Sequence, residues 1–431
     1  MSDRRSFFKK VGVLAGAFST QSLFSQWHAS HLSDLQKSRQ NFTPEQLATD
    51  EDYWSIIQQA YTVNPAIINL NNGGVSPSPR IVQEAVERYN KLSNEGPSYY
   101  MWRILDQGRE PLRQKLAELA GCNPEEIAVN RNSTEALNTV IFGLDLKAGD
   151  EVIGTKQDYP NMINAWRQRQ QREGITYTQI SFDFPLENDS VIVSTFEKAI
   201  TPKTKVLHIT HVINWMGQIL PVRKLCDMAK KYGLKTIVDG AHSFGLIDFK
   251  IPDLGCDYFG ASLHKFLSAP IGSGMLWIHK DHIKDIWPLV CNDNPRSEDI
   301  RKFETLGTRS FPIEQGIGEA INFHQAIGSK RKEQRIRYLK NYWAEAVKVI
   351  PKVKIHTSLK DEYSCAICGV SIDGMTPGEL DTALFSQYKI HTVGIVWENI
   401  SCVRITPHVY TRKKDLDKLI QAIDKIAKGK G

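Results

Sequence analysis

Two stretches decide the fold: Thr236-Ile237-Val238-Asp239-Gly240-Ala241-His242 and Tyr258-Phe259-Gly260-Ala261-Ser262-Leu263-His264-Lys265. Each opens on an apolar run of strand length and ends in polar residues. A run without polar alternation reads as a strand buried on both faces. Lys265 follows Asp239 by 26 positions, which leaves room for a strand and its connections between them.

Working outward, further short apolar runs lie at 127–129, 150–154, 205–210 and 274–278. Helical patterns follow three of them, from Thr134, over 162–172 and over 222–232. Strands alternating with helices predict an α/β fold with a mostly parallel sheet covered on both faces. Ligands of such sheets bind beyond the carboxyl ends of the strands. A helix from Arg80 and another over 110–120 precede this series. The reading divides the chain into a linker or arm at 31–50, a segment at 51–79 joining the small domain, a large domain at 80–316 and a small α+β domain at 317–431.

The 431 residues are 41% hydrophobic and 24% charged, an ordinary globular composition. The net charge is +6, and half of it sits in the first ten residues, from Arg4, Arg5, Lys9 and Lys10 against Asp3. There is no basic stripe with interleaved aromatics, so nucleic-acid binding is not expected. Arg412-Lys413-Lys414 reads as a solvated helix start. Seven scattered cysteines make no disulfide framework. Cys365 and Cys368 have CxxC spacing, but on a strand residues i and i+3 face opposite ways, which disfavours a metal or redox pair.

At the N-terminus, Arg4-Arg5-Ser6-Phe7-Phe8-Lys9-Lys10 precedes a short apolar stretch over 11–18. That stretch is too short to span a membrane. The pattern resembles a twin-arginine (Tat) signal over residues 1–30. The resemblance implies the Tat translocase as a transient partner, a periplasmic address after folding and no stable membrane anchor. An amphipathic N-terminal helix is the plainer alternative.

Three polar groups fall at strand ends: Asp239 with His242, Ser262 with His264 and Lys265, and Arg131-Asn132-Ser133-Thr134-Glu135 at a strand-to-helix turn. Singly, each has a structural explanation: Asp239 as a helix cap, Lys265 as a surface lysine, Ser133 as an N-cap. Their joint occurrence in this order is more specific. Together they resemble the class V aminotransferase-fold enzymes, the group of cysteine desulfurases, isopenicillin N epimerase-like proteins and kynureninase. The resemblance runs from about Asn69 to Ile426. It implies pyridoxal 5'-phosphate (PLP) as cofactor, an aspartate-aminotransferase-like fold of type I and a homodimer with sites at the subunit interface.

The resemblance also assigns residues. Lys265 would supply the primary amine that holds PLP and then serve as acid and base at the substrate carbon. Asp239 would keep the pyridine nitrogen protonated. Ser133 and Thr134 at a helix N-terminus, with Ser262 and His264, would hold the phosphate. Tyr159 matches the aromatic that stacks on the ring, where many relatives carry His. Asn214 and His242 match residues near the 3-hydroxyl. Thr308 matches a residue that reaches the partner subunit's phosphate. Arg404 matches the arginine that binds the substrate α-carboxylate, a role its planar fork suits; a strand-edge salt bridge is the alternative. Asn72-Gly73-Gly74 would bring backbone close to substrate, or form a plain turn. Tyr99, Tyr100 and Arg103 are weaker candidates for the pocket wall.

In cysteine desulfurases a nucleophilic cysteine precedes the carboxylate-binding arginine on a small-domain loop. Here residues 389–399 contain no cysteine. That departure favours chemistry on the amino group or Cα of an amino acid or peptide amine, of the aminotransferase or epimerase kind. With export it also resembles the periplasmic PLP enzymes of siderophore (pyoverdine) maturation. A PLP-dependent C–S lyase and an inactive exported binding protein of the same fold are the alternatives.

Overall fold

The computed structural model describes Arg39 and residues 41–429. The expected signal and the first part of the expected arm lie outside the described residues. After a short strand β1 (Ile68–Asn69), a seven-stranded sheet is built from β2 (Ile127–Asn130), β3 (Glu151–Thr155), β4 (Thr176–Ile180), β5 (Thr204–Thr210), β6 (Lys235–Asp239), β7 (Tyr258–Ser262) and β8 (Gly274–Ile278). Their order is β2-β8-β7-β6-β5-β3-β4. Only β8 runs against the others. The segment from β7 to β8, residues 263–273, holds no helix and is too short for a parallel crossover. It returns as an antiparallel connection and carries Lys265.

The inner strands are buried along nearly their whole length, as the apolar residues at their centres predict. β4 and the helix Asp189–Ala199 are absent from the sequence reading. β4 sits at the sheet edge, is half-exposed and reads Thr-Tyr-Thr-Gln-Ile, so it lacks the continuous apolar signal of its neighbours. The first core cluster lies on one face of the sheet around Phe196, Leu225 and Phe259, and the second on the other around Leu137, Trp166 and Tyr258.

The smaller unit is an antiparallel sheet of β9 (Val353–Ile355), β10 (Cys368–Ile372), β12 (Val393–Trp397) and β13 (Ile400–Ile405), in the order β12-β13-β10-β9. β11 (Ile390–His391) pairs in parallel with β1, which ties the N-terminal segment to this unit. Leu339, Trp343, Leu384, Leu419 and Ile423 from its covering helices form a separate core.

Two boundaries are corrected. The helix Phe311–Ile327 runs through residue 317 without a break, and its Ile317, Ala320 and Ile321 pack into the large core. The second unit therefore begins at Gly328. The end of the supposed arm is a docked helix, Pro44–Ala48, with a capping box at Thr43 and buried Leu47, whose carbonyl accepts the Trp54 indole N–H at 2.8 Å. Five helical residues are too few for periodicity to expose them among polar neighbours.

All seven cysteines are free. Cys365 and Cys368 are buried, and burial pushes their thiols up to about 12 and about 11. Among the described residues no helix is long and apolar enough to cross a membrane, and no His/Cys/Asp/Glu group suits a metal ion.

Candidate active site

The carboxyl ends of β2, β3, β5, β6 and β7 converge on one edge of the large sheet. At β2, the helix Ser133–Gly143 begins with Asn132, not Ser133, as its N-cap: the Asn132 side chain accepts from the Glu135 amide at 2.8 Å. Ser133 and Thr134 thus occupy the first turn, whose N–H groups lack intrahelical acceptors. Ser262, at the end of β7, joins them. Its hydroxyl accepts the Ser133 amide at 3.0 Å and donates to the Ser133 hydroxyl at 2.9 Å. The close approach depends on Gly274, where a Cβ would stand 2.5 Å from Asn132 backbone. His264 turns its Nδ1 to the Ser273 carbonyl at 3.0 Å. A helix N-terminus with two hydroxyls at its mouth suits a phosphate.

At β6, Asp239 is buried, and its Oδ1 accepts the Ala241 amide at 2.9 Å. Burial raises its pKa, and no cation among the described residues forms an ion pair with it. Lys265 Nζ lies 2.8 Å from His242 Nε2. Burial holds the Lys265 amine down to about 8, against the pull of Asp239, so a nucleophilic neutral amine is accessible near neutral pH. His242 is buried, and desolvation with the charges of Lys265 and Arg404 keeps it neutral.

Tyr159 stands exposed on the turn between β3 and the helix Pro160–Glu173. The residue that fixes this turn, Asp158, was missed by the sequence reading. It is buried and accepts from the Thr155 amide, the Thr155 hydroxyl and the Thr210 hydroxyl, each at 2.8 Å. It thereby staples the ends of β3 and β5 beneath Tyr159. The Thr155-x-x-Asp158 spacing was its only sequence signal, and that spacing is common in loops.

The small unit contributes Arg404 from β13. The guanidinium is buried; it donates to the Asn214 carbonyl at 2.9 Å and to the Asn71 side-chain oxygen at 2.9 Å. It meets no carboxylate among the described residues, and burial lowers its pKa to about 10. The strand-edge salt bridge is therefore not what occupies it. Gly73 packs against this group: a Cβ there would stand 3.5 Å from Arg404 Cζ. Asn72 differs from expectation. Its amide faces the Thr406 carbonyl, its carbonyl accepts from Ser76, and its side chain is engaged by Thr406 and Tyr410. It braces the loop, and Asn71 is the neighbour that reaches Arg404. Gly74 is exposed one residue beyond.

Thr308, Tyr99 and Arg103 are exposed, and Tyr100 is half-buried. Among the described residues Thr308 makes no hydrogen bond to Ser133 or Ser262, so within one chain it stands apart from that pair.

Several buried polar atoms around the cleft lack protein partners: Asn214 Oδ1, His242 Nδ1, Arg404 Nε and Thr406 Oγ1. Buried groups of this kind are ordinarily satisfied, and these four are available to a polar ligand. A first-turn phosphate seat, a buried carboxylate without a cation and a buried amine fit the phosphate, ring nitrogen and aldehyde of PLP in turn.

Fold and site together define an α/β enzyme of PLP fold type I. Residues 68–419 match the aminotransferase class-V family, and the chain belongs to that family. It is 27% identical to isopenicillin N epimerase of Amycolatopsis lactamdurans, over 87% of this chain and 99% of that protein. It is also 27% identical to a probable cysteine desulfurase of Halalkalibacterium halodurans, over 86% and 95%. Among solved structures it resembles the cysteine desulfurase of Thermococcus onnurineus, with a TM-score of 0.78 at 21% identity over 87% and 98% of the two chains. It also resembles the cystine C-S lyase C-DES, with a TM-score of 0.76 at 23% identity over 83% and 97%. These structures speak to the fold; one neighbour holds glycine covalently linked to its PLP. The protein is a PLP-dependent class V enzyme acting on amino acids.

Proposed function

We propose that this enzyme binds an amino acid or peptide-derived amine by its α-carboxylate and moves a proton at Cα, along the aminotransferase and epimerase branch of the family. The observation that carries this reading is Arg404, a buried guanidinium with no carboxylate partner among the described residues. An unpaired buried charge is costly, and a substrate carboxylate would complete it. PLP, when bound, supplies the electron sink that makes the Cα proton acidic. Lys265 holds the cofactor and, as a neutral amine, takes or returns that proton. His242 keeps the Lys265 amine in place, and Asp239 holds a proton at the ring nitrogen. Asn214 and Tyr159 fix the ring's edge and face, Ser133, Thr134, Ser262 and His264 its phosphate.

The persulfide branch is disfavoured on the same grounds. Cys402, the cysteine nearest Arg404 in sequence, is buried on β13 with its thiol pushed up to about 12, and residues 389–399 offer no other sulfur. A thiolate nucleophile needs the opposite environment.

The test is to supply PLP, add amino acids singly in deuterated water, and follow absorbance, Cα deuteration and product handedness. Inversion indicates epimerisation, and release of a keto acid without free ammonia indicates transamination. Release of sulfide or persulfide, with free ammonia beside the keto acid, would overturn the reading in favour of C–S cleavage. No spectral response to any amine would favour a binding protein.

Two further proposals complete the reading. A homodimer is supported by the exposed side chains of Tyr99, Trp102 and Ile104 beside the helix Phe311–Ile327 and by Thr308 standing apart from its own phosphate seat; light scattering tests it. Export to the periplasm, for tailoring of a secreted product such as a siderophore, is supported by the Arg4-Arg5 pattern. A reporter fused to residues 1–35 that stays inside a Tat-competent cell would refute it.

A further inference from the structure

The turn that carries Lys265 is strained and is restrained from behind. Ser268, three residues on, has φ +60°, a left-handed conformation that costs a non-glycine residue. Its amide closes the turn on the Lys265 carbonyl at 3.0 Å. The groups that hold this turn come from the smaller unit and its N-terminal segment. Ser268 Oγ lies 3.3 Å from His408 Nε2 and accepts from the Tyr61 hydroxyl at 3.5 Å. Phe266, the residue after Lys265, stacks its ring on His408 at an interplanar angle of 10° and meets the His242 ring edge-on. The Phe266 carbonyl accepts from Lys332 Nζ, which also lies 3.4 Å from His324 Nδ1.

Lys332 is the unexpected member. It is 2% exposed, lies in the first turn of the helix Ser329–Val347 and pairs with no carboxylate among the described residues. Burying an amine without a counter-ion is unfavourable, and a methionine would fill similar space without that cost. Charge neutralisation does not explain it; the carbonyl it holds does.

We propose that Lys332, with His408, is a positioning residue for Lys265: the smaller unit grips the strained 265–268 turn through these side chains and so sets where the Lys265 amine stands against His242 and the cofactor. The proposal rests on Lys265 being the cofactor lysine. A looser turn would let Ser268 relax and Lys265 swing, with the fold otherwise intact.

The experiment compares wild type, Lys332→Met and Lys332→Arg as holoenzymes. Borohydride reduction of wild type followed by peptide mass first locates the adduct; an adduct away from Lys265 removes the underlying reading. With the adduct at Lys265, three quantities are read: the pH midpoint of the bound-cofactor absorbance, the PLP dissociation rate and the melting temperature. Lys332→Met is expected to shift the midpoint by about one unit and to speed PLP loss about tenfold, without a lower melting temperature. Lys332→Arg, which keeps a donor, should recover part of both. An unchanged midpoint and dissociation rate in Lys332→Met overturns the proposal. If that variant is insoluble, His408→Leu takes its place, because it removes the stack on Phe266 and the contact to Ser268 Oγ; a shifted midpoint supports the proposal and an unchanged one overturns it.

Discussion

Arg113 and Arg404 are both buried arginines, and their surroundings differ in kind. Arg113 donates to both oxygens of Glu304 at 2.8 Å, to Glu110 at 3.1 and 3.2 Å, and to the Ile127 carbonyl. Its carboxylates hold its pKa above the usual arginine value. Glu304 in turn accepts the Val129 amide at 2.6 Å, so the pair pins β2 to the segment before Thr308. Among the described residues Arg404 has two neutral acceptors and no carboxylate, and its pKa moves down instead. The first arginine is complete within the protein and serves stability. The second is left without a carboxylate among the described residues, which is the state the proposed substrate carboxylate would complete.

Substitutions can break or sharpen this contrast. The largest effect is expected at Lys265, which leaves both arginines untouched. Lys265→Ala should fold yet lose all borohydride-trappable cofactor, with amino-acid turnover down at least about 10⁴-fold. A reducible covalent adduct in that variant would place the cofactor lysine elsewhere. Asp239→Ala should lower turnover about 10³-fold and weaken PLP binding in a spectroscopic titration, because the ring nitrogen loses its acceptor. Unchanged rates would contradict that role.

The contrast itself is tested by removing each arginine. Arg404→Leu should weaken amino-acid binding about 100-fold while the melting temperature holds or rises, since an unpaired buried charge is removed. Arg113→Leu should do the reverse: about 3 kcal/mol lost in urea unfolding, because Glu304 is left buried and unpaired, with little change in amino-acid affinity. If Arg404→Leu unfolds the protein instead, the two arginines are not different in kind.

The smallest expected effect is on pH dependence. In the proposed role of Lys265, its neutral amine is the form that attacks PLP. With its pKa lowered to about 8, the attachment rate to apoprotein should climb about tenfold per unit below that pH and level off above it. A rate still climbing at pH 10 would mean that Lys265 lies in an ordinary solvated setting.

Most of the large domain was legible because buried strands carry apolar residues at their centres, as 237–238, 258–261 and 275–278 do. The edge strand β4 was not, since a strand with one neighbour tolerates polar residues. The break at Gly328 was hidden because the helix before it is apolar on the face it turns to the large core. Within the site, the strand-end residues were readable as a set, whereas Asp158 and Lys332 were not. An aspartate in a loop and a lysine in a helix carry no mark of burial in sequence, and only tertiary packing removes them from water.

The sequence by itself thus determined the α/β alternation, the strand ends where polar residues gather, and the order of Asp239 and Lys265 along the chain. These are local properties, set by hydrophobic period and backbone preference. The tertiary structure alone decided that Ser262 meets Ser133, that Asn71 rather than Asn72 faces Arg404, and that Arg404 has no carboxylate while Arg113 has two. Those facts depend on which distant segments share a low-dielectric space. That space leaves Arg113 paired with carboxylates and Arg404 without one among the described residues.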